Sequence, residues 1–182
     1  MDPFVKAGLQ VLLFDYRGYG LSTGTPTEKG LIEDGEAAAQ FVMTELQVPP
    51  ERTVYFGKSL GTGVAVLVAA ARPPDRQPAR LVLESSFDSM AAVGAHHYPF
   101  LPVRWFLRDR YDAASAIGRV RCPILFVHGG ADEIVPIERG RALFERANPA
   151  RDLFVVIPGA RHNDPPSSYP PPYIEELRAF LM

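Results

Sequence analysis

YFGKSLGTG, residues 55–63, can be read in two incompatible ways. Gly57-Lys58-Ser59 matches the end of a phosphate-binding loop, which would make Lys58 a phosphate clamp. Gly57-Lys58-Ser59-Leu60-Gly61 matches G-x-S-x-G, which would make Ser59 a nucleophile. The first reading needs a glycine five residues before Gly57, and Arg52 stands there. Thr53, Val54, Tyr55 and Phe56 form a β-branched and aromatic run that predicts a strand. A phosphate cradle needs a bendable loop in that place, with backbone N–H groups turned inward. G-x-S-x-G instead needs a strand before it and a helix after it. Leu60 to Ala71, almost wholly small and apolar, predicts that helix.

Further apolar runs surround this one: QVLLFDY (10–16), RLVLE (80–84), PILFVHG (123–129) and LFVVIPG (153–159). None alternates cleanly, as expected for strands of a parallel sheet buried on both faces. Helical patterns separate them over Thr27–Leu46, Leu60–Ala71, Pro136–Ala147 and Tyr173–Leu181. Strands alternating with helices predict one three-layer α/β domain over 1–182: a mostly parallel sheet of about five strands, with helices on both faces. The stretch from Ser85 to Arg121 is too long for a simple crossover. It predicts a short helical cap at about 86–120, whose aromatics, Phe87, Tyr98, Phe100, Trp105, Phe106 and Tyr111, pack mainly onto the body.

The composition narrows the function classes. The chain has 182 residues, 47% hydrophobic and 22% charged, enough for one domain with a real core. A net charge of −2 gives no reason to expect nucleic acid or an acidic membrane as partner, and membrane contact is not indicated. No apolar run approaches the length of a bilayer span, and MDPFVKAGLQ lacks the pattern of a signal peptide. A cytoplasmic location is the expectation. The single cysteine, Cys122, excludes an internal disulfide and a cysteine-based zinc site, and reads as a buried thiol.

In open parallel sheets, ligands bind beyond the carboxyl ends of the strands. Past the 53–57 run come Lys58 and Ser59; past 123–129 comes Asp132; past 153–159 comes His162. A serine, an aspartate and a histidine are thus expected on one edge of the sheet, in the chain order of α/β-hydrolases. A serine hydroxyl is a poor nucleophile until a base takes its proton. His162 is the candidate base, and Asp132 would hold its tautomer and stabilise the imidazolium. The turn at Ser59 would aim the Leu60 N–H at the developing oxyanion, with glycines at 57 and 61 because side chains there would collide. Glu133 and Asp164 are alternative acids. His128 reads as a structural residue under the site, His96 and His97 as a solvated or packed pair, and Lys58 as a solvated rim residue.

Together, VLLFDYRGYGLSTGTPTEKGLIED, GKSLGTGVAV, LESSFDS, YPFLPVRWFLRDRYD, HGGADEIVP and PGARHND resemble the α/β-hydrolase superfamily. Within it they are most similar to the abhydrolase-domain branch of bud-emergence-type hydrolases, often labelled serine-aminopeptidase-like. The resemblance implies hydrolysis of an ester, thioester or amide through an acyl-serine intermediate, with no metal or cofactor. It implies a small-molecule substrate with an acyl or other apolar group. It also pairs Arg17, in the Asp15–Gly20 turn, with Asp34. The family carries three further strands and an oxyanion loop ahead of the run matching 10–16, and MDPFVKAG resembles only the end of the helix before it. Without the third of those strands a gap of roughly 9.6 Å, two strand spacings, would open between 10–16 and 53–57. The expectation is therefore that 10–16 closes onto 53–57 or the chain folds poorly, and that hydrolysis is weak with only the Leu60 N–H on the oxyanion. The alternative is a non-catalytic α/β-hydrolase-like binding protein.

Overall fold

A computed structural model describes residues 4–5, 8–164 and 171–181. Most of the MDPFVKAG opening, read above as the end of a helix, lies outside the described residues.

Four strands form one parallel sheet in the order β1 (Val54–Lys58), β2 (Arg80–Glu84), β3 (Ile124–Gly129) and β4 (Leu153–Ile157). Parallel neighbours need crossovers, and helices supply them. Before the sheet comes α1 (Glu28–Thr44); α2 (Leu60–Ala71) joins β1 to β2, α3 (Met90–His97), α4 (Val103–Phe106) and α5 (Ala113–Ala116) lie between β2 and β3, α6 (Ile137–Phe144) joins β3 to β4, and α7 (Pro171–Leu181) follows β4. Thr27 starts α1 by accepting the Gly30 N–H on its hydroxyl at 3.1 Å, just after Pro26.

The strands read as unbroken apolar runs because both faces of the sheet are covered. Leu81, Leu83, Ile124 and Phe126 face one way, against Val66, Ile117 and Leu143. Val82, Leu125 and Val127 face the other, against Tyr173, Leu177 and Leu181 of α7. Phe126, Phe144 and Phe154 meet one another at ring distances of 5.4, 5.5 and 6.1 Å. Cys122 is buried as expected, and burial pushes its thiol up to about 11.

The run 10–16 departs from the sequence reading. Among the described residues it pairs with no strand, so the sheet has four strands rather than about five. Nor does it close onto β1, which forms an edge of the sheet. Leu12, Leu13 and Phe14 are 43%, 71% and 44% exposed. An apolar run is strand-like only in composition; the ladder of backbone hydrogen bonds needs a neighbour at the right spacing. The turn that follows is held as expected. The Arg17 guanidinium donates to Asp34 Oδ1 from Nη2 at 2.7 Å and from Nε at 3.0 Å, and the Arg17 N–H donates to Oδ2 at 2.8 Å. These bonds hold the Asp34 carboxyl below its ordinary range.

Between β1 and α2 the chain reverses within one residue. A Cβ on Gly57 would lie 2.4 Å from the Gly61 carbonyl oxygen, so only glycine fits. Gly61 differs from the sequence reading: a Cβ there would meet only the Tyr16 hydroxyl, at 4.0 Å. The turn bends away from position 61, and the helix has already begun. Two substitutions should therefore separate in urea denaturation. Gly57→Ala should lower stability by about 1–3 kcal/mol, the usual cost of overpacking. Gly61→Ala should leave it unchanged or raise it by up to about 1 kcal/mol through helix propensity.

Candidate active site

Ser59 sits between β1 and α2 with φ 50° and ψ −121°. This left-handed conformation costs a non-glycine residue about 1–3 kcal/mol and persists only where its surroundings hold it. Here the Ser59 N–H donates to the Glu84 carbonyl at 2.9 Å, continuing the β1–β2 ladder. The Ser59 carbonyl accepts from the Thr62 N–H at 2.8 Å and from the Thr62 hydroxyl at 2.7 Å. Leu60 is the first residue of α2, so its N–H is one of the helix's orphan donors.

Asp132 and His162 follow β3 and β4. Their loops interlock: the Gly130 N–H donates to Ile157 and the Ala131 N–H to Ala160, both at 2.9 Å. A Cβ on Gly129 would lie 2.4 Å from the Ala160 carbonyl oxygen, so the loops could not approach as they do with any other residue there. The three candidate side chains meet as the sequence predicts. His162 Nδ1 is 3.0 and 2.9 Å from the two Asp132 oxygens, and Nε2 is 3.0 Å from Ser59 Oγ. An ionised carboxylate can only accept, so Nδ1 carries the proton and Nε2 offers its lone pair to the serine hydroxyl.

The Asp132 side chain is fully buried. Burial pushes its carboxyl up. Hydrogen bonds from His162, the Val135 N–H and Ser85, with the charge of His162, outweigh that and bring it down to about 2. The Ile134 and Val135 N–H groups donate to Oδ1 at 3.0 and 2.8 Å. Of the alternative acids, Glu133 lies 3.5 Å from the His162 N–H and 3.7 Å from Arg161 Nε, and Asp164 accepts the Arg161 N–H at 2.9 Å. The ring of His162 is bonded to Asp132.

His128 lies under the site, as read from the sequence. It is wholly buried, its Nε2–H donates to the Val135 carbonyl at 2.9 Å, and burial lowers its pKa below the ordinary histidine value. From the cap, His97 Nε2 lies 2.8 Å from the Ile134 carbonyl oxygen and so holds the loop that carries Asp132. Lys58 departs from its reading as a solvated rim residue. Its ammonium is 2.7 Å from a carboxylate oxygen of Glu84, which is 2% exposed. β1 and β2 register Lys58 directly opposite Glu84, so the pairing follows from the parallel ladder.

Sequence reasoning missed Ser85 and Thr62. Ser85 stands just past β2 at φ 54° and supports the acid from a third strand end. Its position after RLVLE was a visible signal. Thr62 is fully buried in a helix whose composition hid its role as a tether for the turn. Among the described residues, no group of three or more His, Cys, Asp or Glu side chains could hold a metal ion. An open concavity of about 550 Å³ between the 12–23 segment and α1 is lined by none of Ser59, Asp132 or His162.

Residues 1–111 match the family model described as alpha/beta hydrolase fold, and residues 102–164 match that of serine aminopeptidase, S33. The chain is 46% identical to the uncharacterized protein Rv2307c of Mycobacterium tuberculosis, over 96% of this chain and 60% of that one. It is 34% identical to the alpha/beta hydrolase domain-containing protein 17B of Homo sapiens, over 97% of this chain and 57% of that one. It thus spans about 57–60% of the length of these relatives. A Pyrococcus furiosus esterase shares the fold, with a TM-score of 0.74 at 23% identity, over 99% of this chain and 73% of that one. The chain belongs to the alpha/beta hydrolase fold family.

Proposed function

We propose that the chain acts as a serine hydrolase, cleaving an ester, thioester or amide through an acyl-serine intermediate. One observation carries this reading: a strained serine at a strand–helix turn, hydrogen-bonded through a single histidine to a buried, ionised aspartate. Membership of the family and the esterase fold likeness are consistent with it.

In this reaction Ser59 Oγ attacks the substrate carbonyl carbon while its proton passes to His162 Nε2. The carbonyl electron pair moves onto oxygen, where the Leu60 N–H at the start of α2 would meet it. Asp132 stabilises the imidazolium without taking its proton. As the intermediate collapses, His162 gives the proton to the leaving alcohol, thiol or amine. Water then attacks the acyl-serine, His162 takes a proton from it, and the acid departs with Ser59 restored. The substrate class we propose is a small molecule with an acyl or other apolar group.

Labelling with a fluorophosphonate tests the nucleophile. Ser59 should be modified and Ser59→Ala should not. An unlabelled but folded chain would instead support a non-catalytic binding protein. Asp132→Asn should keep the far-UV spectrum and lower hydrolysis of a short-chain nitrophenyl ester by about 10⁴, the size seen when this role is removed in the serine-protease template. Unchanged turnover would transfer the role to another carboxylate.

The same substitution has a pH signature. A carboxyl with a lowered folded pKa adds stability above its unfolded value, near 3.9, and loses it as pH falls through the folded value. For Asp132 that value is about 2. The gap in melting temperature between the native chain and Asp132→Asn should therefore be widest at neutral pH. It should narrow as pH drops from about 4 towards 2. A gap independent of pH would show that the carboxyl has the same pKa folded and unfolded, and a gap that widens towards low pH would show that it is protonated in the folded chain.

A further inference from the structure

The sequence reading packed most cap aromatics onto the body, and for Phe87 and Tyr111, 1% and 5% exposed, that holds. The tip of the cap is the reverse. Tyr98, Phe100, Leu101, Trp105 and Phe106 are 61%, 96%, 60%, 86% and 78% exposed, all within residues 98–106. Single apolar residues on a surface are ordinary, whereas a contiguous patch marks an interaction site. The tip is built rather than frayed. The Leu101 N–H donates to Tyr98 at 3.0 Å, the Val103 N–H to Leu101 at 2.8 Å, and Pro99 and Pro102 stiffen the turn. Val103 of α4 seats closely on Gly94 of α3.

The charge around the tip is one-sided. From Ser89 to Arg108 there is no Asp or Glu, while Arg104 and Arg108 fall in the same stretch; of the flanking acids, Asp88 is paired with Arg139 at 3.3 Å and Asp109 accepts the Glu28 N–H at 2.8 Å. The whole chain has the opposite balance, 21 acidic against 19 basic residues. An apolar aromatic tip in a cationic setting complements a surface that is apolar and anionic. A second copy of the chain would bring like charges together. Among the described residues no helix is long and apolar enough to cross a membrane, so contact would be interfacial. Trp and Tyr rings favour the headgroup level of a bilayer, and arginines are drawn to its anionic lipids.

We infer that residues 98–106 insert into the interface of an anionic lipid bilayer, with the positive charge of the 104–108 stretch meeting lipid phosphates. The tip is joined to the site through His97, which bonds the carbonyl of Ile134, two residues past Asp132. Docking would thus place the acid loop beside the membrane surface. Membrane contact was not indicated in the sequence reading because net charge averages away a local strip. It does not depend on the hydrolase reading.

Trp105 is the only tryptophan, so its fluorescence reports on the tip alone. The protein is titrated with vesicles of phosphatidylcholine plus phosphatidylglycerol, and separately with pure phosphatidylcholine. The expected result is a blue shift of Trp105 emission with the mixed vesicles, weaker with pure phosphatidylcholine and reduced by salt. Phe100→Ser should weaken partitioning about tenfold or more, and Arg108→Gln about fivefold. Both side chains are exposed, and circular dichroism checks that the fold is kept. Emission unmoved by anionic vesicles would overturn the inference. So would emission already blue-shifted without lipid in a chain that sediments as a dimer, which would assign the tip to a second copy. Equal binding to both vesicle types would overturn its electrostatic half.

Discussion

Parallel pairing on both sides of β3 is the constraint from which the rest follows. All six residues of β3 are buried, and its neighbours run in the same direction in fixed register. Parallel strands cannot be joined by tight hairpins, so each must cross over through a helix and return. Every strand therefore ends on the same edge, and the polar side chains of the site gather in the chain just past those ends. Ser59 and Ser85 follow β1 and β2 directly, and Asp132 and His162 stand three and five residues past the ends of β3 and β4. None is near another in sequence except through this geometry.

The site keeps a charge where burial opposes one. A buried carboxylate survives ionised only if its oxygens are saturated with donors. Asp132 has two backbone N–H groups, the imidazole of His162 and Ser85. His128, directly beneath and 3.7 Å from the carboxylate, is desolvated. That favours its neutral form and leaves the charge of Asp132 to the histidine above. The strained Ser59 backbone is held in the same manner, by Glu84 on one side and Thr62 on the other. The Lys58–Glu84 pair locks the same strand ends, so the residue next to Ser59 ties its turn to β2.

The cap divides its aromatic residues between two solvents. Phe87 and Tyr111 join Leu31, Val64 and Val68 in the core, where burial pushes the Tyr111 phenol up to about 12. The tip residues beyond α3 have no body beneath them. Rings left outside either cost solubility or serve a surface.

Much of the site was legible in the linear text. Apolar runs marked β1 to β4 because strands covered on both faces must be apolar throughout. The polar residue at each exit stood out for the same reason, and Ser59, Asp132 and His162 were found from that rule together with the chemistry of an activated hydroxyl. Tertiary structure alone decided what a run's neighbours would be. QVLLFDY has the composition of a strand, but among the described residues no strand pairs with it, because composition contains no partner. Lys58 looked like a surface cation until the register set it opposite a buried glutamate. Gly61 looked indispensable until the path of the turn left open space beside it. Phe100 and Trp105 are as apolar as Phe87, yet they are 96% and 86% exposed where Phe87 is 1% exposed. Periodicity and residue chemistry are local and can be read along one dimension; pairing, steric clearance and exposure depend on which distant atoms share a volume, and folding alone determines that.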